Sequence, residues 1–306
     1  MASYSQQQAH KAGRSGFILV GESCGRSLRM HAARRTFVCA AFLTLLAGCG
    51  DVGGSVNSHF IDHGLAIVVP GIDGANGRSS QIIRGLIDSG LEYAIELYDW
   101  TSPLGPLHSQ CALTRNRQQA ARLAARIALY QQEHPERPVV LIAHSGGTAI
   151  AVWAAEVLPA GHKLDRIILL ASSLSPQYPL EGALLATRRG IVSFHSERDN
   201  VWLGLGTWLF GTMDRRYTHA AGMTGFRIPE EQRQASHYRK LSQVAYRPVM
   251  ANSGHDGGHF SVAASEFVAA YVAPLAAAGR LDRESLAAVA SGQELLAAGA
   301  PAFGSE

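Results

Sequence analysis

Along residues 60 to 277 the apolar positions follow two alternating rhythms. Short apolar runs stand at Leu65–Val69, Tyr93–Leu97, Val139–Ala143, Ile167–Ala171 and Ile191–Phe194, with a weaker one at Pro248–Ala251. They are rich in Val and Ile, as expected of strands covered on both faces. Between them lie longer stretches of helical pattern: Gln81–Ser89, Gln118–Gln132, Thr148–Leu158 and Leu180–Arg188. The second of these sets Leu123, Ile127 and Tyr130 on one face and Arg122 and Arg126 on another. The third is apolar almost all round, which predicts a helix buried against the centre of a sheet. Strand–helix alternation predicts an α/β fold: a doubly wound, mostly parallel sheet of about six strands flanked by helices.

The rhythm breaks at 200–245, which is Gly-rich and crowds Trp202, Leu203, Leu205, Trp208, Leu209 and Phe210 together. This span reads as a small cap or insertion. Its cluster either packs the cap onto the core or lines an acyl-chain site, and the first is favoured. Ser261–Ala277 reads as the final helix, and 278–306 as an Ala-rich tail with one short helix at Arg283–Val289.

The chain is 47% hydrophobic and 17% charged, so a large core is within reach. Its formal charge of +3 is a property of the leader. Residues 1–48 hold six basic side chains and one acidic, which leaves 21 basic and 23 acidic in 49–306. The body therefore has no basic excess to attract nucleic acid. Four cysteines, Cys24, Cys39, Cys49 and Cys111, include no CxxC pair.

Residues 34–49 read RRTFVCAAFLTLLAGC: two arginines, a short apolar run, then small residues before a cysteine. This is the layout of a signal peptide, and the run is too short to span a bilayer. Leu46-Ala47-Gly48-Cys49 resembles the bacterial lipobox, and the arginine pair resembles a twin-arginine export signal. The first resemblance implies lipidation of Cys49 and a membrane anchor, with a Gly/Ser-rich tether at 49–61. A signal of ordinary length would start at Met30. Residues 1–29 are thus expected to be untranslated or unstructured, with the signal at 30–48 and the domain at 62–277.

The most informative stretch is Val139 to Gly147, VVLIAHSGG. A strand ends in a small residue, then His-Ser-Gly-Gly opens a helix. A serine on so tight a turn needs small neighbours two positions away, and the helix N-terminus behind it favours negative charge. The pattern resembles the nucleophile elbow G-x-S-x-G of the α/β-hydrolase superfamily, with Ala143 for the first glycine. The resemblance covers roughly 62–277 and implies a serine esterase or lipase acting without cofactor or metal. Ser145 would be the nucleophile, followed in chain order by an acid and a histidine. The strand at Ile191–Phe194 runs into Ser196-Glu197-Arg198-Asp199, so Asp199 is the candidate acid and Glu197 the alternative. Ile167–Ala171 is followed by Ser172-Ser173-Leu174-Ser175, with no carboxylate, which removes the family's other acid position. His259 directly precedes the final helix and is preferred to His255. Pro70-Gly71-Ile72-Asp73-Gly74 resembles the lipase oxyanion turn and implies backbone donors at Ile72 and Gly146. Asp99 and Trp100, at a strand end nearby, read as structural.

Other readings share these residues. The same triad serves an acyltransferase, and the same fold serves a non-catalytic binding lipoprotein. His255 and His259, with Asp256, carry a zinc reading, but two glycines between them oppose the helix that would converge them. The substrate class implied is an acyl-ester small molecule or lipid.

Overall fold

The computed structural model describes residues 55–199 and 211–277. The leader with Cys49, the aromatic cluster at 202–210 and the tail helix at 283–289 lie outside them.

Six strands form one parallel sheet: β1 (Leu65–Val69), β2 (Ala94–Leu97), β3 (Val139–His144), β4 (Arg166–Leu170), β5 (Ile191–His195) and β6 (Leu241–Ala245). Their order is β2-β1-β3-β4-β5-β6. The central strands β1, β3 and β4 are buried along their whole length, which is why their sequences, apart from His144 and Arg166 at strand ends, are apolar runs rather than alternating ones.

Helices cover both faces. On one, α1 (Gly77–Asp88) packs with the C-terminal helical segment 265–277, burying Ile82, Leu86, Phe267 and Tyr271 against Ala66, Val68, Val140 and Ile142. Asn76 starts α1 by accepting from the N–H groups of Arg78 and Ser79, while Ser79 Oγ accepts from the Asn76 N–H. This reciprocal cap satisfies donors that a helix start otherwise leaves open. The short α2 (Pro106–Cys111) leads into α3 (Leu113–Glu133). On the other face α3, α4 (Gly147–Glu156) and α5 (Glu181–Leu185) bury Leu123, Ile127, Ile150 and Leu184 against Leu65, Ile67, Leu141 and Leu169. From Gly147 to Ala155 every residue of α4 is buried, as its all-apolar pattern requires. None of the helices among the described residues is long and apolar enough to cross a membrane.

This winding creates a topological switch point. The chain leaves β1 toward α1 on one face and leaves β3 toward α4 on the other. The sheet order reverses between these two neighbouring strands, and an open α/β sheet binds its ligands outside the C-terminal ends of the strands at such a point.

Three expectations are corrected. The sixth strand is Leu241–Ala245, inside the span read as an insertion, whereas Pro248–Ser253 is a 3-10 helix. At the sheet edge β6 has one neighbour and only Val244 buried, so no apolar run marks it. The final helix starts at Ser265 after a separate 3-10 turn, Ser261–Ala263, because Ala264 is extended (ψ 136°), and it contains a π-helical turn at Val268–Val272. A short helix, Ala221–Thr224, lies within the remaining insertion, whose backbone bonds to Ser172, Ser173 and Leu174.

Two buried histidines make stability depend on pH. Burial holds His144 down to about 3 and His255 down to about 4. Both folded values lie below that of an exposed histidine, so between pH 7 and 5 the unfolded chain takes up protons that the folded chain refuses. Stability is then full above about pH 6.5 and falls with pH by about 1.4 kcal/mol per unit for each histidine. Urea unfolding at pH 7.5, 6 and 5 is expected to show this loss, and a flat profile would contradict it.

Candidate active site

Ser145 sits at the end of β3 with φ 51°, a left-handed conformation that costs a non-glycine residue about 1–2 kcal/mol. The surroundings enforce it. The Ser145 N–H donates to the Leu170 carbonyl at 3.0 Å, carrying the β3–β4 ladder one step past the strand. Behind the serine, α4 begins at Gly147, where an added Cβ would lie 2.3 Å from the Pro70 carbonyl oxygen and 2.4 Å from that of Val69. Only glycine lets the helix start this close to β1. Ala143, two positions before the serine, is buried and paired with Val69 and Leu169.

His259 and Asp199 complete a line with Ser145. The serine hydroxyl donates to His259 Nε2 at 2.9 Å, and His259 Nδ1–H donates to Asp199 Oδ2 at 2.6 Å. An ionised carboxylate only accepts, so Asp199 fixes the tautomer and makes Nε2 the acceptor that faces the serine hydroxyl. Asp199 is 3% exposed and His259 7%, while Ser145 is half-buried. Glu197, the alternative acid, is exposed. Asp199 Oδ1 is buried without a hydrogen-bond partner among the described residues, beside a cavity of about 10 Å³ lined in part by His195, Ser196 and His255. That volume fits one water.

The loop that carries His259 is tied down from within. Asp256 Oδ1 accepts from the Gly258 N–H at 2.8 Å and the Ser261 hydroxyl at 2.6 Å, bonds that hold its carboxyl below the usual range. His255 Nδ1 meets Ser261 Oγ at 2.9 Å. Gly257 has φ 93°, so the loop is a turn and not a helix. The rings of His255 and His259 therefore serve different partners. Among the described residues no group of three or more His, Cys, Asp or Glu is placed to hold a metal ion.

The backbone N–H of Gly146 follows the serine directly, and that of Ile72 lies close to Gly146. Neither donates to a described residue. A Cβ added to Gly146 would stand 3.4 Å from Ile72 N, so the two peptide units are close neighbours. The Ile72 turn is pinned from below: Trp100 Nε1–H donates to the Pro70 carbonyl at 2.8 Å, and Asp99 accepts from the Ala75 N–H at 3.0 Å. Trp100 and Asp99 are thus structural supports of this turn. Arg78 pairs with Asp73 and stacks over the Phe260 ring at 4.0 Å, linking the turn to the His259 loop.

Three further groups were not legible beforehand. His144 is buried, and its Nε2–H donates to the His259 carbonyl at 3.0 Å. Desolvation, and secondarily the charge of His259, keep it neutral. The buried hydroxyls of Thr148 and Ser173 both donate to the Ser145 carbonyl. Local sequence carries no signal for the His144 and Ser173 bonds, which join loops brought together by the strand order, whereas the Thr148 bond is made within its own turn. A cleft of about 760 Å³ opens between Ser175–Pro179 and Asp214–Thr218. Its Asp214 is bonded to Ser175, and its Arg117 to Glu156 and Tyr178.

No protein-family model and no curated protein sequence matches this chain. Solved structures similar to it include Aspergillus fumigatus lipase B, at 14% identity and TM-score 0.44, over 78% of this chain and 58% of that one. Esterase PE8 is similar at 15% identity and TM-score 0.37, over 75% of this chain and 91% of that one. The Pyrococcus furiosus esterase Pf2001 is similar at 10% identity and TM-score 0.42, over 65% of this chain and 75% of that one.

Proposed function

We propose that this protein is a serine hydrolase of carboxylic esters. The observation that carries the reading is the unbroken hydrogen-bonded line from Asp199 through His259 to Ser145, with the Ile72 and Gly146 N–H groups close by and without an acceptor among the described residues. Ser145 Oγ attacks the acyl carbonyl as His259 Nε2 takes the hydroxyl proton. The oxyanion accepts hydrogen bonds from Ile72 and Gly146. As the intermediate collapses, the bond to the leaving alcohol breaks and His259 returns the proton to it. Water then attacks the acyl-enzyme by the same route, releasing the acid and restoring Ser145.

A fluorophosphonate probe tests this directly. Residues 50–306 should be labelled at Ser145, and the label should be lost in Ser145→Ala and His259→Ala. A folded wild-type protein that takes no label refutes the enzyme reading and favours a binding module.

The acid is tested separately. Asp199→Asn should lower kcat by about 10⁴, because the amide favours the wrong imidazole tautomer. Glu197→Gln should leave kcat unchanged, since Glu197 is exposed and the Asp199 carboxylate already occupies His259 Nδ1. Equal losses in both variants would reopen the assignment.

We also propose that Cys49 carries the lipid of an exported, membrane-anchored form, on the strength of Leu46-Ala47-Gly48-Cys49 behind its apolar run. Expression of the full chain in a bacterium should put wild type in the membrane fraction and Cys49→Ser outside it. Equal partitioning of the two removes the anchor.

A further inference from the structure

The Ser145 carbonyl accepts three hydrogen bonds: from the Thr148 N–H at 3.0 Å, the Thr148 hydroxyl at 2.5 Å and the Ser173 hydroxyl at 3.0 Å. The first belongs to the turn that opens α4. The two hydroxyls are additional, and both residues are buried. Thr148 Oγ1 in turn accepts from the Ser172 hydroxyl and the Ser173 N–H, each at 3.2 Å. A hydroxyl has a single proton, so the Thr148 proton is committed to the Ser145 carbonyl. A strained residue directs this convergence. Ala171, at the end of β4, has φ 51°, and the kink turns Ser172 and Ser173 back toward α4. Such strain persists only where the surroundings over-determine it, and it clusters at functional sites.

The carbonyl of Ser145 and the N–H of Gly146 are two ends of one peptide group. Hydrogen bonds accepted at the oxygen draw electrons from the nitrogen and make its proton a stronger donor. Bonds in such chains reinforce one another, by about 10–30% each in condensed phase. We infer that the Thr148 and Ser173 hydroxyls strengthen the Gly146 N–H as an oxyanion donor by polarising the Ser145–Gly146 peptide. Neither hydroxyl touches substrate. Both are positioning residues that act through the peptide bond, and the inference rests on the ester-hydrolase reading.

This action differs from mere support of the elbow. Support affects folding and the placement of Ser145. Polarisation affects how strongly an acyl carbonyl is held once it lies in the oxyanion site, and the carbonyl stretching frequency of an acyl-enzyme reports that. A weaker donor leaves more double-bond character and a higher frequency.

The test uses an arylacryloyl p-nitrophenyl ester with a ¹³C-labelled carbonyl, and residues 50–306 in wild-type form and as Thr148→Val, Ser173→Ala and Thr148→Ser. Thr148→Val keeps the shape and removes the hydroxyl. Raman difference spectra of the acyl-enzymes and single-turnover deacylation rates are recorded, with thermal melts as a check of folding. Both deletions should raise the carbonyl frequency and slow deacylation by roughly tenfold, less than the 10²–10³ lost when a donor is removed outright. Thr148→Ser should restore both toward wild type. Acylation with an unshifted band in folded Thr148→Val and Ser173→Ala overturns the inference alone, whether or not the rates fall. A wild type that forms no acyl-enzyme withdraws the hydrolase reading and this inference with it.

Discussion

Ser145→Ala is expected to lower kcat for p-nitrophenyl ester hydrolysis by about 10⁶, and adding His259→Ala should cost almost nothing more. The two side chains act as one unit. An alkoxide is inaccessible to a serine at neutral pH unless a base takes its proton during attack, and His259 Nε2 at 2.9 Å is the base in reach. Without Ser145 the histidine has no hydroxyl to activate. What remains is the Ile72 and Gly146 N–H pair acting on an adventitious water, worth roughly 10³–10⁴ over solution. The KM of the single variants should change little, because neither residue supplies much ground-state binding. Losses that multiply in the double variant would mean that serine and histidine act in separate steps, and the mechanism as written would fail.

Gly147→Ala is expected to destabilise the fold by about 3 kcal/mol or more and to depress activity in the folded fraction. The new Cβ would meet backbone: the Pro70 oxygen at 2.3 Å, the Val69 oxygen at 2.4 Å and the Val69 carbon at 2.9 Å. None of these atoms can rotate away. Either α4 lifts off the sheet, opening voids beneath a helix buried from Gly147 to Ala155, or the end of β1 shifts. The second movement drags Pro70 and the Ile72 N–H out of place, so activity and stability fall together. In a domain of this size the melting temperature should drop by about 10 °C. Gly77→Ala is the control: its Cβ would meet nothing within 4 Å at the start of α1, and no loss is expected. A Gly147→Ala protein as stable as wild type would show that the elbow has slack it is not built to have.

The tight turn at Ser145 was legible because its constraints are local. A serine at positive φ between a strand and a helix needs small residues within two positions, and Ala143, Gly146 and Gly147 state that in one line of sequence. Asp199 and His259 were legible for a related reason. Chain order and strand ends bring them to the C-terminal ends of the strands, where Ser145 lies, and burial then distinguishes Asp199 from the exposed Glu197. Strand β6 was misread for the opposite reason. An edge strand with one neighbour needs no apolar run, so Leu241–Ala245 looks like loop while Pro248–Ala251 looks like strand. Two of the missed groups bond far along the chain. His144 is bonded to a carbonyl 115 residues away, and Ser173 to one 28 residues away.

The sequence by itself determined the alternation of strands and helices, the buried centre of the sheet and the turn on which Ser145 is strained. Those features follow from side-chain size and apolar spacing within about ten residues. The tertiary structure alone decided what each polar group near the serine bonds to. Strand order, set by packing two helical layers on one sheet, determines which loops meet, and a buried polar group must find its partner among the loops that do.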